Sequence, residues 1–265
     1  MIRENKVKKI LKSGGTAVGV FLSLTDPTVV EVMGLAGFDF VVIDNEHVSM
    51  DRAAVTNMIR ASEIKQVDIT PLIRVREGSR VEILQALDMG ALGLQIPNVD
   101  TYEQGKEIIE ASYYSPKGIR GLGTGQRGIG YGFMNRDEYF ESAEKEILTV
   151  MQCESMESVK NIDKILEIDD IDVVFIGAMD LSRTMGPEYM GKRDHPEVVR
   201  VFNETTEKII KAGKVAGGAA GNDKQLDELV KLGVRYLTIG ADLGFIKGGA
   251  MQTMNSYNNM YRKER

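Results

Sequence analysis

Eight short runs of apolar residues, rich in Val, Ile and Leu, alternate with longer amphipathic stretches along this 265-residue sequence. Such runs are typical of strands buried on both faces of a parallel sheet, and the amphipathic stretches are typical of helices. The predicted strands span residues 16–23, 38–44, 69–75, 92–97, 148–154, 173–177, 215–220 and 236–240. The predicted helices span residues 27–36, 51–62, 79–89, 102–111, 156–166, 196–212 and 223–232.

This alternation restricts the architecture to the α/β class. Eight strands with interleaved helices, and no linker-like segment, predict a single (β/α)8 barrel (TIM barrel) domain over residues 1–265. A doubly wound open sheet is the alternative, although no Gly-x-Gly-x-x-Gly motif follows the first predicted strand. A capping residue followed by proline, as in Asp26-Pro27 and His195-Pro196, predicts the start of a helix.

Charge and cysteine content restrict the partners and the compartment. The formal net charge is −6, and Lys and Arg are dispersed, which argues against nucleic acid or an anionic membrane as a partner. Cys153 is the only cysteine, so no intramolecular disulfide can form and a reducing cytoplasm is expected. The first residues lack the apolar core of a signal peptide, and no apolar run approaches the roughly 20 residues of a membrane span.

Three titratable side chains follow the second predicted strand: Asp44, Glu46 and His47. A strand buried on both faces has no structural need for such a cluster, whereas enzymes built on parallel strands carry their chemistry at the carboxyl ends of those strands. We therefore predict an enzyme with part of its site here. Histidine is the usual general base near neutral pH, and His47 is the candidate, with a structural histidine as the alternative.

Other predicted strand ends supply further candidates. Glu154 and Asp180 follow the fifth and sixth strands, which are neighbours in a barrel, so their carboxylates can converge. Two hard oxygen donors with room for water and substrate oxygens match Mg²⁺ or Mn²⁺, and a pair of solvated loop acids is the alternative. Arg74 ends the third strand among apolar neighbours, where its guanidinium could bind a carboxylate or an enolate oxygen, or form a structural ion pair.

Lysine and cysteine argue against two other kinds of chemistry. None of the eight predicted strand ends carries a lysine, so the imine mechanism of a lysine-dependent aldolase is not expected. If carbon–carbon chemistry occurs, a metal must polarise the carbonyl. Cys153 alternates with Gln152 and Glu154 on its strand, so it is predicted to point outward and to have no nucleophilic role.

Seven short motifs occur in order over most of the chain, from about residue 19 to residue 242. They are FDFVVIDNEH (38–47), PLIRV (71–75), LDMGA (87–91), YSPKGIRG (114–121), QCE (152–154), FIGAMDLS (175–182) and HPEV (195–198). Together they resemble the HpcH/HpaI family of metal-dependent pyruvate aldolases, which includes 2,4-dihydroxyhept-2-ene-1,7-dioate aldolase and 2-dehydro-3-deoxyglucarate aldolase. The resemblance implies a (β/α)8 barrel of the phosphoenolpyruvate/pyruvate-binding type, whose last helix swaps between the subunits of what is usually a hexamer.

The resemblance also implies which residues bind the metal and the substrate. Glu154 and Asp180 would bind the divalent cation, Mg²⁺ or Mn²⁺, with Co²⁺ as a further candidate. Gln152 and the backbone N–H groups around Met179 and Asp180 would hold the pyruvyl end of the substrate.

The residues implied in the reaction itself are Arg74, His47 and Asp88. Arg74 would stabilise the enolate oxygen and His47 would act as the base, while Asp88 would raise the basicity of His47. Since the metal pair lies elsewhere, Asp44 and Glu46 are expected to position His47 or to hold water on the metal.

The expected reaction is the retro-aldol cleavage of a 4-hydroxy-2-oxo acid to pyruvate and an aldehyde. A citrate-lyase-like lyase acting on a coenzyme A thioester is the alternative, and it is disfavoured because no basic cluster suits the coenzyme phosphates. A non-catalytic barrel acting as a sensor or scaffold is a third alternative. It is disfavoured because every proposed catalytic position carries a competent residue.

Two segments outside these motifs have expected roles. Residues 115–136 form a long irregular region, typical of a lid or binding loop, with a surface excursion as the alternative. Within it, residues 121–132 are expected to cover the aldehyde end of the site, where Arg127 could bind a second carboxylate or remain a solvated charge. Phe21 is expected to form a wall of the pocket, and residues 248–265 are expected to form a final helix against a neighbouring subunit.

Overall fold

All eight predicted strands form, each within two residues of its predicted ends. A computed structural model describes residues 3–262 of the chain. The strands are β1 (Ala17–Leu22), β2 (Phe40–Asp44), β3 (Thr70–Arg74), β4 (Gly93–Ile96), β5 (Leu148–Cys153), β6 (Val173–Ile176), β7 (Val215–Ala220) and β8 (Tyr236–Ala241). They pair in parallel in chain order, and β8 pairs with β1 to close the barrel, which confirms the predicted (β/α)8 architecture.

The helices surround this barrel. They are α1 (Lys6–Lys12), α2 (Pro27–Leu35), α3 (Arg52–Ser62), α4 (Arg80–Met89), α5 (Tyr102–Ser112), α6 (Arg136–Glu146), α7 (Met156–Ile165), α8 (Ala178–Met185), α9 (Pro196–Lys211), α10 (Asp223–Leu232) and α11 (Asp242–Tyr261). The seven predicted helices are confirmed, and α1, α6 and α8 are additional.

Local chemistry sets the helix ends where the sequence predicts them. The carboxylate of Asp26 accepts a hydrogen bond from the Thr28 backbone N–H, which otherwise has no partner in the first turn of α2. The imidazole of His195 does the same for α9, since its Nδ1 accepts from the Glu197 N–H at 3.2 Å. The predicted role of His195 as a helix cap is therefore confirmed.

The barrel interior is filled by the inward side chains of alternate strand positions. Phe40 of β2 and Tyr236 of β8 stack at its centre with their ring centroids 4.4 Å apart. At the amino ends of the strands, Val7 and Leu11 of α1 are buried against the same interior cluster, so α1 closes that end of the barrel. The carboxyl ends of the strands remain the open end.

A second apolar layer lies between the strands and the surrounding helices. Cys153 belongs to this layer, with its Sγ 3.2 Å from the Ser158 Oγ of α7. Its predicted outward orientation is confirmed. Burial raises the pKa of the Cys153 thiol to about 12, so the thiolate that a nucleophile needs is not formed at neutral pH.

The long loop between α5 and α6 does not lie where it is expected. Arg127 forms an ion pair with Glu63 and donates to the carbonyl of Met89 at 3.1 Å. These two residues lie at the carboxyl-terminal ends of α3 and α4, which run back toward the closed end of the barrel. The expectation that residues 121–132 cover the aldehyde end of the site is therefore wrong within one chain. Arg127 is a structural ion-pair partner, neither a substrate ligand there nor a solvated charge.

The final helix begins six residues earlier than predicted, at Asp242, and its described part ends at Tyr261. Phe245 packs against Phe38 with ring centroids 6.2 Å apart, and from Leu243 onward nearly every described residue of the helix is exposed. The last three residues of the predicted 248–265 helix lie outside the described part of the chain. Among residues 3–262, no helix combines the length and apolar content needed to cross a membrane.

Candidate active site

Asp44 and Arg74 meet at the open end of the barrel because they are paired in register on β2 and β3. The guanidinium of Arg74 donates from Nε to Asp44 Oδ1 at 2.9 Å and from Nη2 to Asp44 Oδ2 at 2.7 Å. Both side chains are largely buried. A two-pronged pair of this kind fixes the plane of the guanidinium as well as its position.

The turn after β2 is held by the same carboxylate. The backbone N–H groups of Glu46 and His47 both point at Asp44 Oδ1, at 3.0 and 3.3 Å. Glu46 Oε2 lies 3.2 Å from Arg74 Nη1 and 3.9 Å from His47 Nε2. The His47 side chain is 63% exposed, so its imidazole stands at the outer edge of the cluster.

The surroundings of Glu46 act on the pKa of its carboxyl in opposite directions. Burial raises the pKa of its carboxyl, although the neighbouring Arg74 opposes the shift. The negative charges of Asp44 and Asp180 act in the same direction as burial. The open end of the barrel therefore concentrates carboxylates around Arg74, whose guanidinium is engaged by Asp44 and Glu46.

Glu154 follows β5 and is only 3% exposed. Its Oε1 accepts from the Asn98 backbone N–H at 2.8 Å, and its Oε2 accepts from Gln152 Nε2 at 2.7 Å. Burial, with the charges of Glu46 and Asp180 acting in the same direction, raises the pKa of Glu154 to about 7. Glu154 is thus a buried carboxylate close to two others, and a bound cation would lower the electrostatic cost of keeping it ionised.

Close approach to Glu154 requires a glycine on the neighbouring strand. A Cβ built at Gly177, directly after β6, would lie 2.6 Å from Glu154 Oε2. Gly177 is also the N-cap of α8 and provides no side chain to bond the first N–H groups of that helix. Those N–H groups, including that of Met179, are therefore left for a ligand at the helix N-terminus.

Asp180 lies in the first turn of α8, half-buried, with Arg183 Nε 3.5 Å from its Oδ1. It is close enough for its charge to raise the pKa values of both Glu46 and Glu154. Among residues 3–262, no three Asp, Glu, His or Cys side chains surround one point as a complete ligand set. Glu154 and Asp180 would thus leave most positions on a cation to water and substrate, as Mg²⁺ sites commonly do.

Phe21, at the open end of β1, lies against the arginine of the site. The centroid of its ring is 4.7 Å from the Arg74 guanidinium carbon, and its edge contacts Phe175 with centroids 6.3 Å apart. The ring therefore covers one face of the guanidinium.

Asp88 is not brought to His47. It lies at the carboxyl-terminal end of α4, toward the closed end of the barrel, whereas His47 is at the open end. Asp88 Oδ1 instead accepts from Arg120 Nη2 at 2.8 Å, and the Arg120 side chain is completely buried. Within one chain, Asp88 is an ion-pair partner of Arg120.

Asn98 is a site residue that the sequence did not single out. It follows β4 with a φ of 55°, a left-handed conformation that Asn tolerates better than most residues. This conformation directs its backbone N–H to Glu154, and its side-chain Nδ2 lies 3.5 Å from Glu46 Oε1. Its position directly after the fourth predicted strand is the signal that could have identified it.

Comparisons with known proteins identify the family of this chain. The sequence model of the HpcH/HpaI aldolase/citrate lyase family matches residues 17–247. A hydroxypyruvate/pyruvate aldolase of Agrobacterium fabrum is 34% identical over 91% of this chain and 88% of its own length. A 2-keto-3-deoxy-L-rhamnonate aldolase of Klebsiella pneumoniae is 36% identical over 90% of this chain and 87% of its own. The crystal structure of an HpcH/HpaI aldolase/citrate lyase family protein from Burkholderia cenocepacia superposes with a TM-score of 0.90 at 25% identity, covering 96% of this chain and 99% of that one.

Proposed function

This chain belongs to the HpcH/HpaI aldolase/citrate lyase family, and from that premise we propose that its open barrel end cleaves a 4-hydroxy-2-oxo acid to pyruvate and an aldehyde. The chain is an enzyme of the aldolase type, as its relatives are. The observation that best supports this reaction concerns Arg74. Its guanidinium is fixed by two hydrogen bonds to Asp44 and lies beside the carboxylate cluster of Glu46 and Glu154. That arrangement provides both a cation-binding surface and a fixed positive group for a developing enolate.

Glu154 and Asp180 would hold a divalent cation. Their oxygens are hard donors suited to Mg²⁺ or Mn²⁺, with Co²⁺ as a further candidate. The charge environment fits a cation, because burial raises the pKa of Glu154 to about 7 and a bound cation would favour the ionised form of this carboxyl. When bound, the cation would supply the electrophilic polarisation of the 2-oxo group that no lysine provides.

The pyruvyl end of the substrate would bind between Gln152 and the N-terminus of α8. Gln152 Nε2 already donates one hydrogen bond to Glu154, and an amide has a second N–H to give. The N–H groups of Met179 and Asp180 lie in the uncapped first turn of α8, where the helix dipole favours a carboxylate.

Arg74 would stabilise the enolate oxygen. Its guanidinium is fixed on Asp44, with Glu46 beside Nη1 and the Phe21 ring over it, so it need not reorganise as charge develops. One such preorganised donor typically lowers the barrier by about 3 kcal/mol.

His47 would remove the proton from the C4 hydroxyl at its Nε2, the nitrogen that faces Glu46. Its exposed position suits the outer, aldehyde half of the substrate. Removal of this proton releases the aldehyde as the C3–C4 bond breaks, and the pyruvate enolate is then protonated at C3.

We also propose assembly into a homo-oligomer, a hexamer with the last helix exchanged between subunits. The exposed surface of α11 carries a series of large apolar side chains: Leu243, Phe245, Ile246, Met251, Met254 and Met260. Asp88 and His47 lie at opposite ends of one chain's barrel, so Asp88 could raise the basicity of a His47 only when the histidine belongs to another copy. The lone buried Cys153 agrees with a cytoplasmic location.

The reaction is tested by incubating the protein with Mn²⁺ and a panel of 4-hydroxy-2-oxo acids and measuring pyruvate release. We expect EDTA to abolish release, His47→Ala to lose most turnover while binding Mn²⁺ and pyruvate, and Glu154→Ala to lose Mn²⁺ binding. His195→Asn, which keeps a side chain able to cap α9 and changes none of the residues proposed to act in the reaction, is the matched control. Activity that survives EDTA, or trapping of a lysine adduct by borohydride, would contradict the proposal.

A further inference from the structure

A buried chain of hydrogen bonds runs through the barrel interior and ends at Glu154. Tyr236 Oη donates to Gln95 Oε1 at 3.1 Å, and Gln95 Nε2 donates to Gln152 Oε1 at 2.7 Å. Gln152 Nε2 then donates to Glu154 Oε2 at 2.7 Å. All four residues are at most 3% exposed, so water does not compete for these groups.

The direction of this chain follows from the chemistry of its ends. An ionised Glu154 can only accept, so Gln152 must turn its Nε2 toward the carboxylate and its Oε1 toward Gln95. Gln95 must then offer Nε2 to Gln152, which leaves its own Oε1 in need of a donor. The Tyr236 hydroxyl is that donor.

Tyr236 is held rigidly in the position that this requires. Its ring stacks on Phe40 and meets Phe175 at 90° with centroids 6.1 Å apart. Two glycines leave the space for these rings: a Cβ at Gly19 would lie 2.2 Å from Phe40, and one at Gly217 would lie 3.1 Å from both Phe175 and Tyr236. The packing of its ring therefore fixes the Tyr236 hydroxyl in one position.

We infer that Tyr236 and Gln95 are positioning residues that set which way the Gln152 amide faces in the site. This inference rests on the proposed function, in which Gln152 offers its second N–H to the pyruvyl group. Without the Tyr236 hydroxyl, the Gln95 amide can turn and withdraw its Nε2 from Gln152 Oε1, and then only the bond to Glu154 opposes a half-turn that would place the Gln152 carbonyl oxygen toward Glu154. That oxygen would repel the carboxylates of both Glu154 and the substrate.

A purely structural role predicts a different outcome. If the chain only satisfies buried polar groups, the replacements lower stability and leave pyruvate binding unchanged, and Tyr236→Phe costs no further stability once Gln95→Leu has removed its acceptor. If the chain orients Gln152, pyruvate binding weakens in the single variants and in the double variant, because the donor that fixes the Gln152 amide is displaced or lost. The two roles are thus separable in one set of variants.

The test compares Tyr236→Phe, Gln95→Leu and the double variant in the full-length protein. Thermal midpoints are measured by calorimetry, Mn²⁺ binding by titration, and pyruvate binding to the Mn²⁺-loaded protein by calorimetric titration. We expect Tyr236→Phe to lower the midpoint and weaken pyruvate binding about tenfold, the loss typical of one misdirected hydrogen bond. The double variant should have the midpoint of Gln95→Leu and keep the weakened binding, with KM raised and kcat changed less than about threefold.

Tyr113→Phe is the control, since Tyr113 is equally buried but lies outside the chain of hydrogen bonds. It should change the midpoint without changing pyruvate binding. A double variant that binds pyruvate within about twofold of the parent would overturn the inference. If that variant fails to fold, unchanged binding in Tyr236→Phe alone has the same consequence. Failure of the parent itself to bind pyruvate with Mn²⁺ would instead contradict the proposed function, and this inference with it.

Discussion

Arg74 is clamped by Asp44 through two parallel hydrogen bonds of 2.9 and 2.7 Å, across the β2–β3 pairing of the barrel. The same Asp44 oxygen receives the backbone N–H groups of Glu46 and His47. One carboxylate thus sets the geometry of the proposed enolate-stabilising group and of the turn that carries the proposed base.

Asp44→Asn should therefore lower kcat/KM by about 100-fold, the loss typical of a misplacement of about 1 Å in a catalytic group. The substitution keeps one carbonyl oxygen for the backbone donors but replaces the other acceptor by an amide that repels the guanidinium. Steady-state kinetics on the preferred substrate measure the effect. Glu204→Gln is the control, because it removes an exposed partner of Arg200 and should leave kcat/KM unchanged. Equal effects of the two substitutions would contradict the role assigned to Asp44.

Mn²⁺ binding should weaken as the pH falls below about 7. Burial raises the pKa of Glu154 to about 7, and a cation needs the ionised carboxylate. The apparent Kd should increase by up to about tenfold per pH unit below that value. Isothermal titration at several pH values measures it, and Glu154→Gln, whose amide does not ionise, should bind Mn²⁺ weakly at every pH. A Kd that does not change between about pH 5.5 and about pH 8 would contradict the assignment.

The Glu154 carboxyl also links metal binding to the free energy of unfolding. In the metal-free protein the Glu154 pKa lies above its ordinary value of 4.5, so between the two values the folded state binds more protons than the unfolded state. Stability then falls as the pH rises from 4.5 through 7. Added Mn²⁺ offsets this loss, so its increase in Tm should be larger at about pH 8 than at about pH 5.5. Calorimetry with and without Mn²⁺ measures the difference.

Gly177→Ala should weaken Mn²⁺ binding by at least about tenfold while the barrel still folds. The added methyl group would meet Glu154 Oε2 at 2.6 Å and force the carboxylate away from Asp180. Gly125→Ala is the matched control, because a Cβ there meets nothing within 4 Å. Titration with Mn²⁺ and circular dichroism of both variants separate loss of the site from loss of the fold. Mn²⁺ binding equal to that of the parent would show that Glu154 is not held by this contact.

Cys153 should resist alkylation in the native protein. Its thiol is buried and its pKa is raised to about 12, so little thiolate is present or accessible at pH 8. Mass spectrometry after iodoacetamide treatment should find the modification only after unfolding in guanidinium chloride. Because the chain has a single cysteine, any native labelling reports on this position alone.

The strands were predictable because each is a short run buried on both faces, and alternation along β5 also assigned the outward direction of Cys153. The register that joins Asp44 to Arg74 was not predictable, since it depends on how far each strand is shifted against its neighbour. Asn98 was missed for a related reason. Its contribution depends on a left-handed backbone that the residue type permits but does not require.

Asp88 and Arg127 show a different limit. Asp88 was expected beside His47 because of the resemblance, and Arg127 was left between a substrate ligand and a solvated charge, whereas within one chain helix direction places the end of α4 at the closed end of the barrel. Gln95 and Tyr236 were missed because a polar residue in an apolar strand shows only that a partner exists. The partner itself lies 141 positions away.

Because α1 closes the amino-terminal end of the barrel, its interior can be reached only from the carboxyl ends of the strands. Every molecule that reaches Glu154 must enter and leave on the side where His47 is exposed. In the proposed reaction, pyruvate is the deeper fragment and the aldehyde lies above it. The two products therefore leave in a fixed order, and the aldehyde has to dissociate before the pyruvate that lies behind it.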